Sequence, residues 1–418
     1  MFSTLATAAA GPTASSLLPA APLADPTAPW LPREPPKFPE LGRDGRYVLG
    51  VGLAHERSFL EDLAQLPPAP PWRKSWAEAH AHAARHTTQP CATVFFRHIR
   101  KCGGSSLRDL FRADPSFEHV QYDLPRARLI PRDACTVGHG ECHQPEHQPH
   151  DMPGKETLLD AATAPQPGED EEEAPGDSGG LVWQLLHNDT FVQQHPRLLI
   201  EYHSPFERTG RPFLNLLRSL PAIRRAQARR GCGVLAMTTL REPASQLQSD
   251  FDYFDAHGLT LKQYAQLNFE VQLRALLLSG VTFPKGMGLM RPGANATETS
   301  KNASAAIDAA RSTYGPFFES ADAAAATASA ILAQFDLVGV MDHLDPLQKL
   351  LAETLDLRNV DGGRIDPKRT NAAAPPPLDG EGDDDDDALS YFELLQQTPA
   401  TQIVHKVWLK KWEAEYGA

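Results

Sequence analysis

Apolar positions along the chain fall into short continuous runs joined by helical stripes. Ala92, Val94, Phe95 and Phe96 form a run of β-branched and aromatic residues that predicts a buried strand. Lys101 to Ser106 (KCGGSS) is a tight turn of small residues, and Leu107, Leu110 and Phe111 then recur at helical spacing. Leu198–His203 and Val234–Leu240 predict two further buried strands. Arg241 and Glu242 follow the second of these. Pro243 then opens a helix with Leu247, Phe251 and Phe254 on its buried face. Ala134–His139 predicts a short strand ending at His139. Helices are expected near Ser75–Ala84, over Phe213–Arg230 with an interruption at Pro221, along Leu259–Ser279, over Phe317–Leu332, and at Leu389–Leu395 and Thr401–Glu415. Segments 114–133 and 281–314 read as loop-rich.

Composition changes this picture in three ways. The 418 residues, 41% of them hydrophobic, suffice for one large domain or two ordinary ones. The net charge of −13 is concentrated in two runs, Glu169–Glu173 with five acidic residues and Asp379–Asp387 with seven; without them the balance is about −1. These runs mark solvated insertions near 151–180 and 360–388 in a domain spanning 89–418, preceded by a Pro/Ala-rich, partly disordered region at 1–88. The five cysteines are too few for a disulfide scaffold. A single pair such as Cys91 with Cys232 stays open, because each immediately precedes a predicted strand. No run of 18 apolar residues exists, so no transmembrane helix is expected. Asn188, Asn295 and Asn302 lie in glycosylation sequons, which favours a secretory route.

The turn after the first strand has the makings of a phosphate cradle. Its glycines let backbone N–H groups approach an anion, the helix N-terminus adds partial positive charge, and Lys101, Ser105 and Ser106 supply further donors. A Walker A loop would place the lysine after the glycines; here it comes first. That order resembles sulfotransferases that use 3′-phosphoadenosine 5′-phosphosulfate (PAPS), in particular the carbohydrate enzymes of the heparan sulfate 2-O- and 6-O- type. These carry His-Ile-Pro-Lys-Thr-Gly-Gly-Thr-Ser-Leu or a close variant where this chain has His98 to Leu107, with Arg100 at the proline and Cys102 at the small hydroxyl residue. The stretch Leu240–Ser249 resembles the same family's 3′-phosphate motif, in which a serine follows the arginine by eight residues; a frequent second arginine is Gln246 here. Phe335–Met341 resembles the family's late Phe-Asp-x-Val-Gly strand, and a helix over Leu344–Leu355 follows from the same pattern.

The resemblance implies an α/β, P-loop-like three-layer fold with a central parallel sheet flanked by helices. It implies sulfuryl transfer from PAPS to a hydroxyl of a glycan or polysaccharide acceptor, without a metal. Lys101, Cys102, Gly103, Gly104, Ser105 and Ser106 would hold the 5′-phosphosulfate, and Arg241 with Ser249 the 3′-phosphate. Lys101 would also meet the charge on the leaving phosphate. The family's base is a histidine between the two motifs, a place His139 fits; His203, with Glu201 beside it at the end of another strand, is the alternative. The family is usually anchored in the Golgi, so the expectation is a Golgi or secretory location, or a soluble cytoplasmic one if the sequence is complete, with membrane contact only through an anchor outside it.

Two other readings compete locally. Cys135, His139, Cys142, His143, His147 and His150 could bind zinc, although the cysteines are seven apart and structural sites prefer closer pairs. Arg224, Arg225, Arg229 and Arg230 could face an anionic acceptor or form a solvated helix face. No aromatic platform or known motif accompanies them, which argues against nucleic acid. Two alternative functions stand beside the transferase: another P-loop-like phosphotransferase, or a non-catalytic member of the fold that binds anionic glycans.

Overall fold

The computed structural model describes residues 60, 63–66, 69, 72–86, 91–123, 126–129, 178–203, 210–254, 259–278, 296–359, 363 and 391–416. The chain divides into Met1–Phe38 and Pro39–Ala418, and every described element belongs to the second unit. Its fold is α/β. The strands are β1 (Cys91–His98), β2 (Glu118–Asp123), β3 (Arg126–Leu129), β4 (Arg197–His203), β5 (Cys232–Leu240) and β6 (Leu337–Val340). They form one sheet in the order β3-β2-β4-β1-β5-β6. Five are parallel; β3 alone runs antiparallel, as the outer partner of β2. β1 and β5 are buried almost throughout, which is why they read as continuous apolar runs and not as alternating ones.

The helices are α1 (Trp72–His86), α2 (Gly104–Arg112), α3 (Ser178–His187), α4 (Asp189–Gln194), α5 (Gly210–Arg229), α6 (Pro243–Phe254), α7 (Leu261–Leu267), α8 (Ala296–Tyr314), α9 (Ala321–Leu332), α10 (Leu344–Thr354), α11 (Tyr391–Gln396) and α12 (Pro399–Tyr416). They cover both faces of the sheet. On one face Trp76 of α1 packs against Gly233, and Leu347 of α10 fills the space beside Gly339. On the other, α5 packs on β5, and the buried Arg97 of β1 donates to the carbonyl of Ala275.

Several expectations change. Residues 118–123 and 126–129 are not loop but the antiparallel pair β2–β3, in which Glu118–Tyr122 also pairs parallel with β4. Helix α8 occupies most of the segment expected to be loop. Its buried side is made of Ala303, Ala306 and Ala310, too small to stand out as an apolar stripe, and it packs with Leu259, Tyr264, Leu267 and Phe269. The single helix expected over Leu259–Ser279 is broken after α7. Glu270 takes a left-handed conformation (φ 51°), and a short helix, Val271–Leu273, then runs into a π-helical turn, Arg274–Leu278. The break serves α12: the buried Glu270 carboxylate accepts from the N–H groups of Ala400 and Thr401 and from the Thr401 hydroxyl, capping that helix. Pro221 does not interrupt α5, which runs through it.

Cys91 and Cys232 are register partners at the first positions of β1 and β5, and they are joined in a disulfide. Asn188 caps α4: its side-chain oxygen accepts from Phe191 N–H, and its amide nitrogen donates to Gln184 at 2.6 Å. The segments 1–59, 130–177 and 364–390 lie outside the described residues. With them lie the expected strand at Ala134–His139 and the bulk of both acidic insertions.

Candidate site at the carboxyl ends of the central strands

β1 sits between β4 and β5, and the chain leaves it toward β2 on one side and later crosses to β5 on the other. In an open parallel sheet, the crevice beyond the strand ends at such a reversal is where ligands bind. Two loops meet there. The first, residues 99–103, joins β1 to α2. The second, Arg241 and Glu242, joins β5 to α6.

The first loop opens with a tight turn in which Cys102 N–H donates to the Ile99 carbonyl. Lys101 lies at its third position with φ 58°, where such turns favour glycine. Holding a lysine there costs roughly 1–2 kcal/mol, and local strain of this kind clusters at functional sites. Gly103, the N-cap of α2, also takes a left-handed φ of 81°. Lys101 is half-buried, and its ammonium lies 4.1 Å from the centre of the exposed Tyr253 ring. Burial pulls its pKa below the ordinary value. Asp250 opposes that shift and Arg241 adds to it.

The second loop grips the first. Arg241 Nη1 donates to the Lys101 carbonyl at 3.0 Å, joining positions 140 residues apart. The backbone of Arg241 is held on both sides by the Gln272 side chain, through its N–H at 3.0 Å and its carbonyl at 2.8 Å. Two cations thus converge on one end of the sheet. Ser249 lies two turns into α6 and is half-buried. Ser105 is half-buried, whereas Ser106 is buried with its carbonyl accepting from Gln348 of α10.

The three positions that depart from the sulfotransferase pattern are bonded into this same junction. Arg100 is buried and forms an ion pair with Asp250 of α6 at 2.6 Å; Asp250 in turn accepts from the Tyr264 hydroxyl. Gln246, also buried, donates to the Arg100 carbonyl at 3.3 Å. Cys102 is buried, and its thiol donates to Gln272 at 3.5 Å. Burial pushes that thiol up to about 12, so it stays protonated and unreactive at neutral pH. The Cys102 carbonyl accepts from Thr239. Cys102 therefore packs the loop and offers no side chain to an anion.

Beside the loop, His98 ends β1 with Nδ1 2.5 Å from Glu201 of β4, and His119 of β2 reaches the other Glu201 oxygen through Nε2 at 2.7 Å. Sequence reading missed His119, because β2 was read as loop. Its alternation, Glu-His-Val-Gln-Tyr-Asp, was the available signal. The His98 ring occupies the space a Cβ on Gly104 would need, which explains the second glycine of the turn. Gly104→Ala should displace that ring from Glu201 and destabilise the protein by about 1–3 kcal/mol. Thermal unfolding would measure this, and an unchanged midpoint would contradict the packing.

His203 is the last residue of β4, and its backbone pairs with His98. His139 and the zinc candidates Cys135, Cys142, His143, His147 and His150 lie outside the described residues. Among the described residues no group of three or more His, Cys, Asp or Glu side chains is arranged to hold a metal, and no helix is long and apolar enough to cross a membrane. The arginine cluster of α5 is half structural. Arg224 pairs with the buried Asp336 at 2.8 Å, and Arg230 bonds Asp189 and the carbonyls of Leu185 and Leu186. Arg225 and Arg229 are exposed. A cavity of about 400 Å³, lined by Phe335, Val338, Trp408 and Trp412, lies beside the amino end of β6. No known protein family, curated protein or solved structure matches the chain.

Proposed function

We propose that the chain is a PAPS-dependent sulfotransferase with a P-loop-like core, acting on a hydroxyl of a glycan acceptor. The observation that carries this reading is the contact between Arg241 and the Lys101 carbonyl. Two motifs resembling the 5′- and 3′-phosphate elements of one family, far apart in sequence, become neighbours at the ends of adjacent parallel strands. Backbone N–H groups of Gly103 to Ser106 would hold the 5′-phosphate at the N-terminus of α2. The Arg241 guanidinium would take the 3′-phosphate with Ser249. In the reaction the acceptor oxygen bonds to sulfur as the sulfur–oxygen bond to the 5′-phosphate breaks. The hydroxyl proton goes to a base, His139 or His203, and the charge left on the phosphate is met by Lys101. The reading needs no metal.

The departures at Arg100, Cys102 and Gln246 bond with groups of the two loops and their neighbours, so each has a structural part in the junction. The Cys91–Cys232 disulfide supports a secretory location, since such bonds persist in oxidising compartments.

Calorimetry with 3′-phosphoadenosine 5′-phosphate (PAP) tests the reading. Saturable binding is expected, with adenosine 5′-phosphate far weaker. Arg241→Ala should weaken PAP binding by roughly 10–100-fold, the range for hydrogen bonds to charged groups. No binding by the folded wild type would overturn the proposal, and hydrolysis of a nucleoside triphosphate would favour a phosphotransferase instead.

A further inference from the structure

The cavity beside the amino end of β6 has no part in the reading above, and none of its described lining belongs to the two loops. Its volume of about 400 Å³ falls within the usual range for small-ligand sites, roughly 300–1,000 Å³. The strand side supplies Phe335, Leu337 and Val338, and α12 supplies Trp408, Trp412 and Tyr416. Those three aromatic residues are spaced four apart, so they lie along one face of the helix. Trp412 is buried, whereas Trp408 and Tyr416 are half-buried. The Trp408 indole N–H is buried with no hydrogen-bond partner among the described residues. Two cations stand over the end rings of this ladder. Lys411 Nζ lies 4.0 Å from the centre of the Trp408 ring, and the Arg73 guanidinium of α1 lies 4.8 Å from the centre of Tyr416. Lys411 and Arg73 are both exposed.

These features select the chemistry of an occupant. Indole and phenol rings offer flat apolar faces with a polar edge. A sugar ring matches both, since its C–H face can stack while its hydroxyls reach the edge. An unmet buried donor calls for an acceptor, so a hydrocarbon ligand would leave the Trp408 N–H unanswered. Cations already placed over Trp408 and Tyr416 disfavour a cationic ligand there and favour a negative one. The two carboxylates of the described lining do not cancel this. Asp336 is paired with Arg224 at 2.8 Å and accepts from Ala236 N–H at 2.6 Å. Glu415 is exposed and can accept from sugar hydroxyls. Lys410, exposed and next in sequence to Lys411, adds a further positive charge.

We propose that this cavity is a glycan-binding site separate from the two loops. It takes one unit of an acidic polysaccharide, with the sugar ring against Trp408 and Tyr416 and its sulfate or carboxylate at Lys411 and Arg73. No covalent bond is made or broken there. Binding at the cavity stands independently of the transferase reading. That the polysaccharide is the acceptor, held here by a unit other than the reacting one, rests on that reading.

The experiment is calorimetry of the full chain with a heparin hexasaccharide, which carries sulfate and carboxylate, and in parallel with neutral cellohexaose. The heparin hexasaccharide should bind saturably and lose affinity as salt rises, and cellohexaose should bind at least about 10-fold more weakly. Trp408→Ala and Lys411→Ala should each weaken the acidic hexasaccharide by roughly 10-fold or more, the low end for losing a hydrogen bond to a charged group, and leave PAP affinity unchanged. Lys411 is exposed, so its variant decides if Trp408→Ala does not fold. Equal affinity of wild type and Lys411→Ala would place the polyanion elsewhere and overturn the proposal. So would displacement of the hexasaccharide by saturating PAP, cellohexaose binding as tightly, or no binding by the folded wild type. If the wild type self-associates through this face and the hexasaccharide does not compete, the cavity is an interface between copies and the proposal falls. If the hexasaccharide binds with the expected losses and PAP does not bind, the transferase reading falls and the glycan site stands.

Discussion

Lys101→Ala should lower the turnover number for sulfuryl transfer by about 10²–10³-fold, the usual effect of removing one preorganised charge from a transition state, while changing PAP affinity far less. The structure explains why the loss should concentrate in turnover. The left-handed backbone at Lys101 and the Arg241 bond to its carbonyl fix where the side chain starts. The ammonium rests over the exposed Tyr253 ring and not in a buried ion pair. A cation over an exposed aromatic face is held by only about 0.5–1 kcal/mol, so leaving it for a phosphate oxygen costs little. Burial already weakens the ammonium's hold on its proton, and Arg241 repels it. Both penalties shrink as negative charge develops on the leaving phosphate. On the proposed reading, ground-state binding by Arg241, Ser249 and the backbone N–H groups would not need this charge. Single-turnover transfer from labelled PAPS, with PAP affinity measured beside it, separates the two effects. A variant with normal turnover and lost PAP affinity would make Lys101 a ground-state binding residue and refute this assignment.

What the sequence showed and what it hid divide along a physical line. β1 and β5 were legible because both of their faces are buried, which leaves long apolar runs. The Gly103–Gly104 turn and the Arg241–Pro243 junction were legible because only a few residue types suit such positions. β2 was not, because it carries charged and polar residues whose partners, Glu201 for His119 and His195 for Glu118, come from elements some 80 residues away. The break at Glu270 was hidden for the same reason: the carboxylate that interrupts the helix caps another one 130 residues later. The departures at Arg100, Cys102 and Gln246 read as losses one at a time. Arg100 and Gln246 bond each other, and Arg100 answers Asp250. Such compensation is a property of the loop junction, and no single position shows it.

The disulfide carries the largest expected effect on stability. Cys91 and Cys232 tie together the adjacent strands β1 and β5 across a sequence separation of 141 residues. Closing a loop of that length removes unfolded-state entropy worth on the order of 5 kcal/mol. The bond also fixes the register in which Arg97 lies beside Thr238, and so the relative height of the loops that follow the two strands. The double variant Cys91→Ser, Cys232→Ser should therefore unfold at markedly lower urea concentration than the wild type. Reductant should lower the wild-type midpoint and leave the variant unchanged. Cys102 is a free thiol in the folded protein, so reductant has no bond to break there. Alkylation after unfolding without reductant should leave Cys91 and Cys232 unlabelled. If both label fully in protein made under oxidising conditions, the strands are held by packing alone and the secretory argument loses its covalent support. If they stay protected and PAP affinity falls in the folded double variant, the register at the start of the strands governs the two loops at their far ends.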